Sequence, residues 1–254
     1  MAQTAESRPR PCDRESVITL PSDGASLRIA HSAKDCFKME GLQGHHNGDW
    51  TGCHLWESAL VLASLLATEP DRVKGKRVIE LGAGCGVPGL VAGFLGASEV
   101  VLTDEVVSVV KHNLDANLSG KLELQKRFKV RELRWAHSED LSVLQPPYDV
   151  ILASDILFFD TELAKIAATL IALSGPGTHI LIAGPDCLPG HRGTAPKIFY
   201  PLLRKEGIQV SDVLDGGPKA KRMKLDLASA ALKRSSEDRG EIQIVEMVKT
   251  EVSS

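Results

Sequence analysis

Short apolar runs alternate with stretches of helical periodicity along most of this 254-residue chain. The apolar runs, which indicate buried strands, cover residues 77–81, 100–104, 128–133, 148–153, 179–183, 208–214 and 242–248. Apolar residues three or four positions apart indicate helices that begin near residues 90, 106, 163 and 197. Strands that alternate with helices predict a mostly parallel sheet covered by helices on both faces.

The chain before the first of these runs predicts three further features. Residues 1–15 are polar and have little to bury, so we expect a disordered tail. Two short strands are expected at 16–20 and 27–30, on either side of a turn sequence. Residues 52–66 predict an amphipathic helix.

A glycine-rich turn directly follows the strand at 77–81. Four glycines fall within residues 82–89, and a helical pattern begins immediately afterwards. A strand, a glycine turn and a helix start in this order form a cradle for a cofactor, because glycine lets the backbone approach a ligand closely. Pro88 suits the first turn of that helix, where its missing N–H costs nothing.

Two cofactor classes compete for this turn, beside a purely structural glycine turn. The spacing Gly84-x-Gly86-x-x-Gly89 fits a dinucleotide fingerprint, although this pattern alone is weak evidence. Glu80 argues against it, because a carboxylate at the mouth of the loop would repel a pyrophosphate. The same carboxylate would suit a cofactor that carries an ammonium and a sulfonium group, such as S-adenosylmethionine.

Two further acids follow later strands. Asp104 ends its strand about 20 residues after the loop, the spacing at which a carboxylate meets ribose hydroxyls. Asp155 follows the strand 148–153. Each has an alternative role as the N-cap of the next helix. Since ligands bind at the carboxyl ends of strands in open α/β sheets, we expect both acids, Glu80 and Trp135 to converge there.

Composition excludes several classes of partner. The formal net charge is −3, so no overall field attracts nucleic acid or a membrane surface. Five scattered cysteines without a C-x-x-C motif argue against a disulfide framework or a zinc site, and we expect no bound metal. Residues 1–14 lack the apolar core of a secretory signal, and no apolar run has membrane-spanning length. We therefore expect a cytoplasmic protein.

A basic insert precedes the last strand. Residues 215–240 contain seven Lys and Arg residues. These 26 residues are a long connection between neighbouring strands. The densest cluster runs from Lys219 to Lys224. Such a run is compatible with a nuclear-import signal or a patch for acidic ligands, and equally with a solvated loop.

Four motifs together resemble the seven-β-strand class of S-adenosylmethionine-dependent methyltransferases, in particular its methyltransferase-like protein-lysine methyltransferase branch. The resemblance covers about residues 16–250. The motifs are the helix pattern with Trp56 ahead of the loop, the segment 80–89, Leu133-Arg134-Trp135, and Ser154-Asp155-Ile156-Leu157-Phe158. The last one departs from the commoner form of the motif by having Phe158 where Tyr is frequent.

The resemblance implies a single domain over residues 16–250, with a seven-stranded, mostly parallel Rossmann-like sheet whose last strand is antiparallel. It implies S-adenosylmethionine as the cofactor and a protein substrate methylated on lysine. We also expect a monomer. The resemblance also implies a set of cofactor contacts: Trp56, Gly82, Ala83, Gly84, Asp104, Trp135 and Ser154. Because of its charge, as described above, we add Glu80 to this set. Asp155 and Phe158 would lie where the methyl acceptor enters.

Other functions stay open at this point. A small-molecule N-methyltransferase, resembling nicotinamide methylators, would require a closed acceptor pocket. Protein arginine and histidine methyltransferases occur in similar branches. A non-catalytic adaptor could keep the fold and use the basic insert for partners. A dinucleotide-dependent oxidoreductase fits least well, because no second substrate domain is evident.

Overall fold

A computed structural model describes residues 14–20, 24–31, 52–157, 160–184, 195–215 and 242–251. The strands are β1 Arg14–Thr19, β2 Ser26–His31, β3 Arg77–Leu81, β4 Glu99–Asp104, β5 Phe128–Glu132, β6 Tyr148–Ser154, β7 Ser174–Gly184, β8 Ile208–Asp215 and β9 Gln243–Lys249. The helices are α1 Glu57–Thr68, α2 Val87–Phe94, α3 Ser108–Leu118, α4 Leu122–Gln125, α5 Ser138–Ser142, α6 Leu163–Leu173 and α7 Ala195–Lys205. A 3₁₀ turn spans Pro70–Arg72.

Seven strands form one sheet in the order β5-β4-β3-β6-β7-β9-β8. All neighbouring pairs are parallel except those made by β9, which is antiparallel to both β7 and β8. The prediction of a mostly parallel sheet with an antiparallel last strand is therefore confirmed. The strand order reverses between β3 and β6, and ligands bind at such a switch point in open α/β sheets.

Each central strand is buried on both sides, because helices cover both faces of the sheet. In β3, Val78 joins the core under α1, α2 and α3, whereas Ile79 and Leu81 join the core under α6 and α7. The same alternation separates Val100 and Leu102 from Val101 in β4. Glu80 lies on the side of Val78, and its surroundings are therefore those of the first core.

Strands β1 and β2 form a separate antiparallel hairpin that packs against α3. The two strands that the sequence predicts here are confirmed. Strand β1 begins at Arg14, so Arg14 and Glu15, which were predicted to belong to the tail, are part of the hairpin. Residues 1–13 and 216–241 lie outside the described residues, and the basic insert predicted at 215–240 falls there apart from Asp215, which ends β8.

Helix α1 begins later than predicted. The pattern predicted a helix over 52–66, but Trp56 has an extended backbone (φ −80°, ψ 144°) and the helix starts at Glu57. The segment before it packs against the glycine turn instead, as the Sγ atom of Cys85 lies 3.6 Å from the carbonyl oxygen of Cys53. Leu55 is buried, but it is not part of the helix.

In the ranges given above, the helices are too short or too polar to cross a lipid bilayer. The same ranges contain no group of three or more His, Cys, Asp or Glu side chains that could hold a metal ion.

Candidate cofactor and acceptor site

Three glycines give the turn after β3 its shape. Gly82, Gly84 and Gly86 have φ values of 61°, 51° and 76°, a left-handed conformation that other residues rarely adopt. A Cβ on Gly84 would stand 2.7 Å from the carbonyl oxygen of Gly52, and a Cβ on Gly86 would stand 2.6 Å from Cγ2 of Val110. The turn is therefore closely packed on two sides, and only glycine fits these positions.

Gly82 brings two predicted parts of the site together. The point where its Cβ would stand lies 3.5 Å from Cη2 of Trp135 and 2.9 Å from Cγ2 of Ile156. Trp135 follows β5, whereas Ile156 follows Ser154, the last residue of β6. The carboxyl ends of β3, β5 and β6 thus meet over one glycine, as the sequence predicted for this edge of the sheet.

Asp104 fixes the glycine turn from the neighbouring strand. Its Oδ2 atom accepts a hydrogen bond of 2.8 Å from the backbone N–H of Gly84, and its Oδ1 atom accepts one of 3.1 Å from that of Val106. The side chain is 8 % exposed. It is not the N-cap of α3, because that helix begins only at Ser108 with Val107 before it. A contact with a ribose stays a prediction.

Glu80 differs from the expectation. Its carboxylate is fully buried, and Oε2 accepts a 2.8 Å hydrogen bond from the backbone N–H of Gly89 in the first turn of α2. The other oxygen, Oε1, has no hydrogen-bond partner among the described residues. The pKa of Glu80 is raised to about 8, chiefly because burial disfavours the charged form and further because of the charge of Asp104.

This geometry overturns the argument that Glu80 repels a pyrophosphate. At neutral pH an acid with a pKa of about 8 is mostly protonated, so it carries little charge to repel or attract a ligand. Its full burial also removes it from the surface of the turn in this conformation. Glu80 instead caps α2 and acts on the loop through that helix. The choice of cofactor must rest on other observations.

Asp155 has an unusual backbone. Its φ is 53°, a left-handed value that Asp tolerates better than most residues, and its N–H donates to the carbonyl oxygen of Ala183 over 2.9 Å. The alternative role as a helix N-cap is wrong, because α6 begins at Leu163 with Glu162 before it. Asp155 is partly buried, next to Ser154 at the end of β6.

Of the remaining predicted residues, Ala83 and Trp56 lie within the described part of the chain and Phe158 does not. Ala83 is buried in the turn, where its N–H donates to the carbonyl oxygen of Thr103 over 2.8 Å. Trp56 is partly buried at the start of α1, and its ring meets that of His54 edge to face at 4.7 Å. Trp56 thus lies in the segment that packs against the loop. Phe158 lies outside the described residues.

Two polar side chains near the site were not predicted. Asn113 of α3 is fully buried and donates a 2.9 Å hydrogen bond to the carbonyl oxygen of Cys85 in the glycine turn. Thr169 of α6 accepts a 2.8 Å hydrogen bond from the N–H of Ala136, which has a φ of 57° directly after Trp135. A polar residue on the buried face of a predicted helix is the sequence signal that could have indicated both.

Solved structures with the same fold include several methyltransferases. The ribosomal protein L11 methylase from Lactobacillus delbrueckii matches with a TM-score of 0.51 and 15 % identity, covering 93 % of this chain and 100 % of that one. An S-adenosylmethionine-dependent methyltransferase from Mesorhizobium loti matches with a TM-score of 0.50 and 16 % identity, covering 73 % and 97 %. The fold is thus that of the Rossmann-like methyltransferases.

The sequence comparison is more specific. The model of the lysine methyltransferase family matches residues 41–186, and the chain belongs to this family. Protein N-lysine methyltransferase METTL21A from Danio rerio is 38 % identical over 165 residues, covering 62 % of this chain and 73 % of that protein. Calmodulin-lysine N-methyltransferase from Arabidopsis thaliana is 37 % identical over 163 residues, covering 60 % and 52 %.

A third relative, protein N-terminal and lysine N-methyltransferase efm7 from Schizosaccharomyces pombe, is 31 % identical over 170 residues, covering 64 % of this chain and 66 % of that protein. The matched part of this chain thus spans about half to two thirds of the length of this relative and the plant one. Family membership rules out the dinucleotide-dependent oxidoreductase that the glycine spacing had left open.

Proposed function

We propose that this protein is an S-adenosylmethionine-dependent methyltransferase that methylates lysine side chains of a protein substrate. One observation carries the proposal: the left-handed glycine turn, Trp135 and the segment with Asp155 meet at the switch point of the sheet. Membership of the lysine methyltransferase family supports the choice of acceptor.

The residues at this edge fit the cofactor. Because Gly82 has no Cβ, Ile156 and Trp135 can pack directly against the backbone at the mouth of the turn. Trp56 and Trp135 offer flat apolar surfaces for an adenine ring and a methionine chain. Asp104 supplies carboxylate oxygens, which suit ribose hydroxyls. When bound, the cofactor supplies a methyl group on a positively charged sulfur.

The acceptor amine must be neutral before it can attack. A free lysine has a pKa near 10.4, and enclosure at a site that also binds a cation lowers it. When bound, the cofactor would supply the methyl carbon to the amine nitrogen, the electron pair of the broken carbon–sulfur bond would stay on sulfur, and the product ammonium would lose its proton to water.

Asp155 is proposed to orient the amine by hydrogen bonding. A carboxylate beside the amine also favours the charged form, so this side chain suits a positioning role better than that of a strong base. Alignment of the reacting groups supplies much of the rate enhancement in such reactions. Phe158 is proposed to pack along the aliphatic stem of the lysine.

The test uses purified protein, radiolabelled S-adenosylmethionine and a proteome from cells that lack the enzyme. The wild type should label a small set of bands, and Asp155→Asn should lower the rate at least about 100-fold. The dissociation constant for the cofactor should stay within about threefold of the wild type. Asp115→Asn makes the same chemical change at an exposed position of α3 and should leave labelling unchanged.

The nature of the acceptor follows from the labelled product. Amino-acid analysis after acid hydrolysis should give methyl-lysine, whereas methyl-arginine or methyl-histidine alone would overturn the proposed acceptor. Label only on a small-molecule fraction would favour the rival class of N-methyltransferase. Binding of the cofactor without any transfer would favour an adaptor.

An N-terminal α-amine is a second proposed acceptor, because the relative from Schizosaccharomyces pombe is named for both N-terminal and lysine methylation. An α-amine has a pKa near 8, so it loses its proton more readily than lysine does. Peptide mass spectrometry of the labelled bands separates the two positions. The cytoplasmic location and the monomeric state stay predictions. So does the interpretation of the basic run at 219–224 as a nuclear-import signal.

A further inference from the structure

Two buried asparagines on α3 hold the edge of the amino-terminal hairpin. Asn113 and Asn117 are four residues apart, so they lie on the same face of the helix, about 6 Å apart along its axis. They are 0 % and 4 % exposed. Their partners, Arg28 and Ala30, are two residues apart on β2, a distance of about 6.6 Å along a strand. The two spacings match.

Each asparagine binds both backbone groups of one strand residue. Oδ1 of Asn117 accepts from the N–H of Arg28 over 2.8 Å, and its Nδ2 donates to the carbonyl oxygen of Arg28 over 2.7 Å. Asn113 makes the same pair of bonds with Ala30, at 2.8 and 3.1 Å. Alternate residues of a strand direct their backbone groups to the same edge, so α3 replaces a neighbouring strand for β2.

Asn113 differs from Asn117 in one respect. The second N–H of its amide donates to the carbonyl oxygen of Cys85 over 2.9 Å, inside the glycine turn. The corresponding N–H of Asn117 donates to the backbone carbonyl of Asn113, within α3 itself, over 2.7 Å. Only the first asparagine therefore links the hairpin to the turn, although both dock the hairpin.

The hairpin determines which way the Asn113 amide faces. The N–H of Ala30 can be satisfied only by the oxygen of that amide, so the nitrogen must face the carbonyl oxygens of Ala30 and Cys85. An amide held by three bonds cannot rotate without losing at least one of them. The Cys85 carbonyl is thus held in place through contacts with a strand that is 55 positions away in the sequence.

Helix α3 contacts the turn at a second point as well. Cγ2 of Val110, one turn before Asn113, lies 2.6 Å from the position that a Cβ on Gly86 would occupy. Asp104 holds the N–H of Gly84 from the start of the same crossover. The turn is therefore fixed at 84, 85 and 86 in succession, and Asn113 supplies the middle contact.

We propose that Asn113 is a positioning residue that couples docking of the β1–β2 hairpin to the geometry of the cofactor turn. The proposal rests on the proposed function, in which this turn binds S-adenosylmethionine. By this coupling the amino-terminal strands contribute to cofactor affinity without touching the cofactor.

The test compares Asn113→Ala with Asn117→Ala. The second variant is the matched control, because each variant loses an equivalent pair of hydrogen bonds to β2. Both should lower the melting temperature. Asn113→Ala should also raise the dissociation constant for S-adenosylhomocysteine and the KM for S-adenosylmethionine about tenfold, with kcat at saturation within twofold of the wild type. Asn117→Ala should leave both constants within twofold.

Equal changes of KM in the two variants, or no change in either, would overturn the role of Asn113 while leaving the proposed function intact. A wild type that binds neither S-adenosylmethionine nor S-adenosylhomocysteine would instead remove both proposals. Calorimetry on the wild type therefore comes first and separates these two failures.

If Asn113→Ala does not fold, a measurement on the wild type tests the same coupling. Because coupling is reciprocal, a ligand that fixes the turn should in turn protect the hairpin. Saturating S-adenosylhomocysteine should slow hydrogen exchange at the N–H of Ala30 at least threefold more than at the N–H of Arg28. Equal slowing at the two amides would overturn the proposal.

Discussion

Two neighbouring crossovers, β3 to α2 and β4 to α3, each place an acid beside the glycine turn, and the two acids have opposite roles. Glu80 lies one residue inside its strand, is fully buried and caps α2. Asp104 is the last residue of its strand and binds the backbone of the turn itself. The position of each acid relative to the end of its strand thus decides whether the acid faces the core or the site.

The difference has an electrostatic consequence. Among the described residues Glu80 meets one N–H donor and no cation, so burial raises its pKa to about 8 and the acid is mostly neutral at pH 7. Asp104 accepts two backbone hydrogen bonds and keeps some exposure. The glycine turn is thus fixed by a neutral acid on one side and by a multiply bonded carboxylate on the other.

The largest expected effect follows from removing the second acid. Asp104→Ala should weaken binding of S-adenosylhomocysteine about 100-fold, because hydrogen bonds to a charged group contribute about 1.5–3 kcal/mol each and both the turn and the ribose lose one. Titration calorimetry measures this directly. Asp115→Ala, at an exposed position of α3, serves as the control. An unchanged dissociation constant would refute the ribose contact.

A smaller effect is expected in the pH dependence of stability. The pKa of Glu80 is about 8 in the folded protein and has its ordinary value in the unfolded chain. At a pH between these two pKa values, Glu80 therefore holds a proton only in the folded protein. Stability therefore falls as pH rises through this interval, by at most about 1.4 kcal/mol per pH unit, and the fall levels off above pH 8.

Urea unfolding of the wild type and of Glu80→Gln at pH 6 and pH 8 tests this. The variant cannot titrate at this position, so the wild type should lose about 2 kcal/mol more than the variant over this interval. Other titrating groups cancel in the difference. Parallel profiles of the two proteins would show that Glu80 is charged throughout.

The smallest effect is expected for cofactor binding by the same variant. Gln keeps the acceptor for the N–H of Gly89 and is as neutral as the protonated acid, so the dissociation constant at pH 7 should change less than about threefold. Calorimetry with S-adenosylhomocysteine measures it. A tenfold loss would mean that the charge acts on the ligand, as the sequence had suggested.

Much of the fold was predictable from local patterns. The apolar runs 100–104 and 148–153 coincide closely with β4 and β6, because strands that are buried on both faces are apolar throughout. The convergence of Trp135 with the turn followed from the rule that the carboxyl ends of parallel strands share one edge. The short helices Leu122–Gln125 and Ser138–Ser142 have too few turns for a periodic pattern and were missed.

The direction of the Glu80 side chain could not be predicted. A strand that is apolar on both faces has no alternation, so nothing in its own sequence shows which helix covers residue 80. The bonds from Asn113 to Ala30 depend on residues 83 positions apart, and no local pattern reports them. The predicted start of the helix at residue 52 was wrong, because contacts with the glycine turn outweighed the local helical preference of residues 52–56.

The position of β9 has a consequence for how the sheet assembles. It lies between β7 and β8, although it follows both in the chain and is separated from β8 by residues 216–242. During synthesis, β8 can be attached to the sheet only after residues 243–249 have emerged from the ribosome. Until then, β7 presents an unpaired edge to other chains, a state in which strands are prone to associate wrongly.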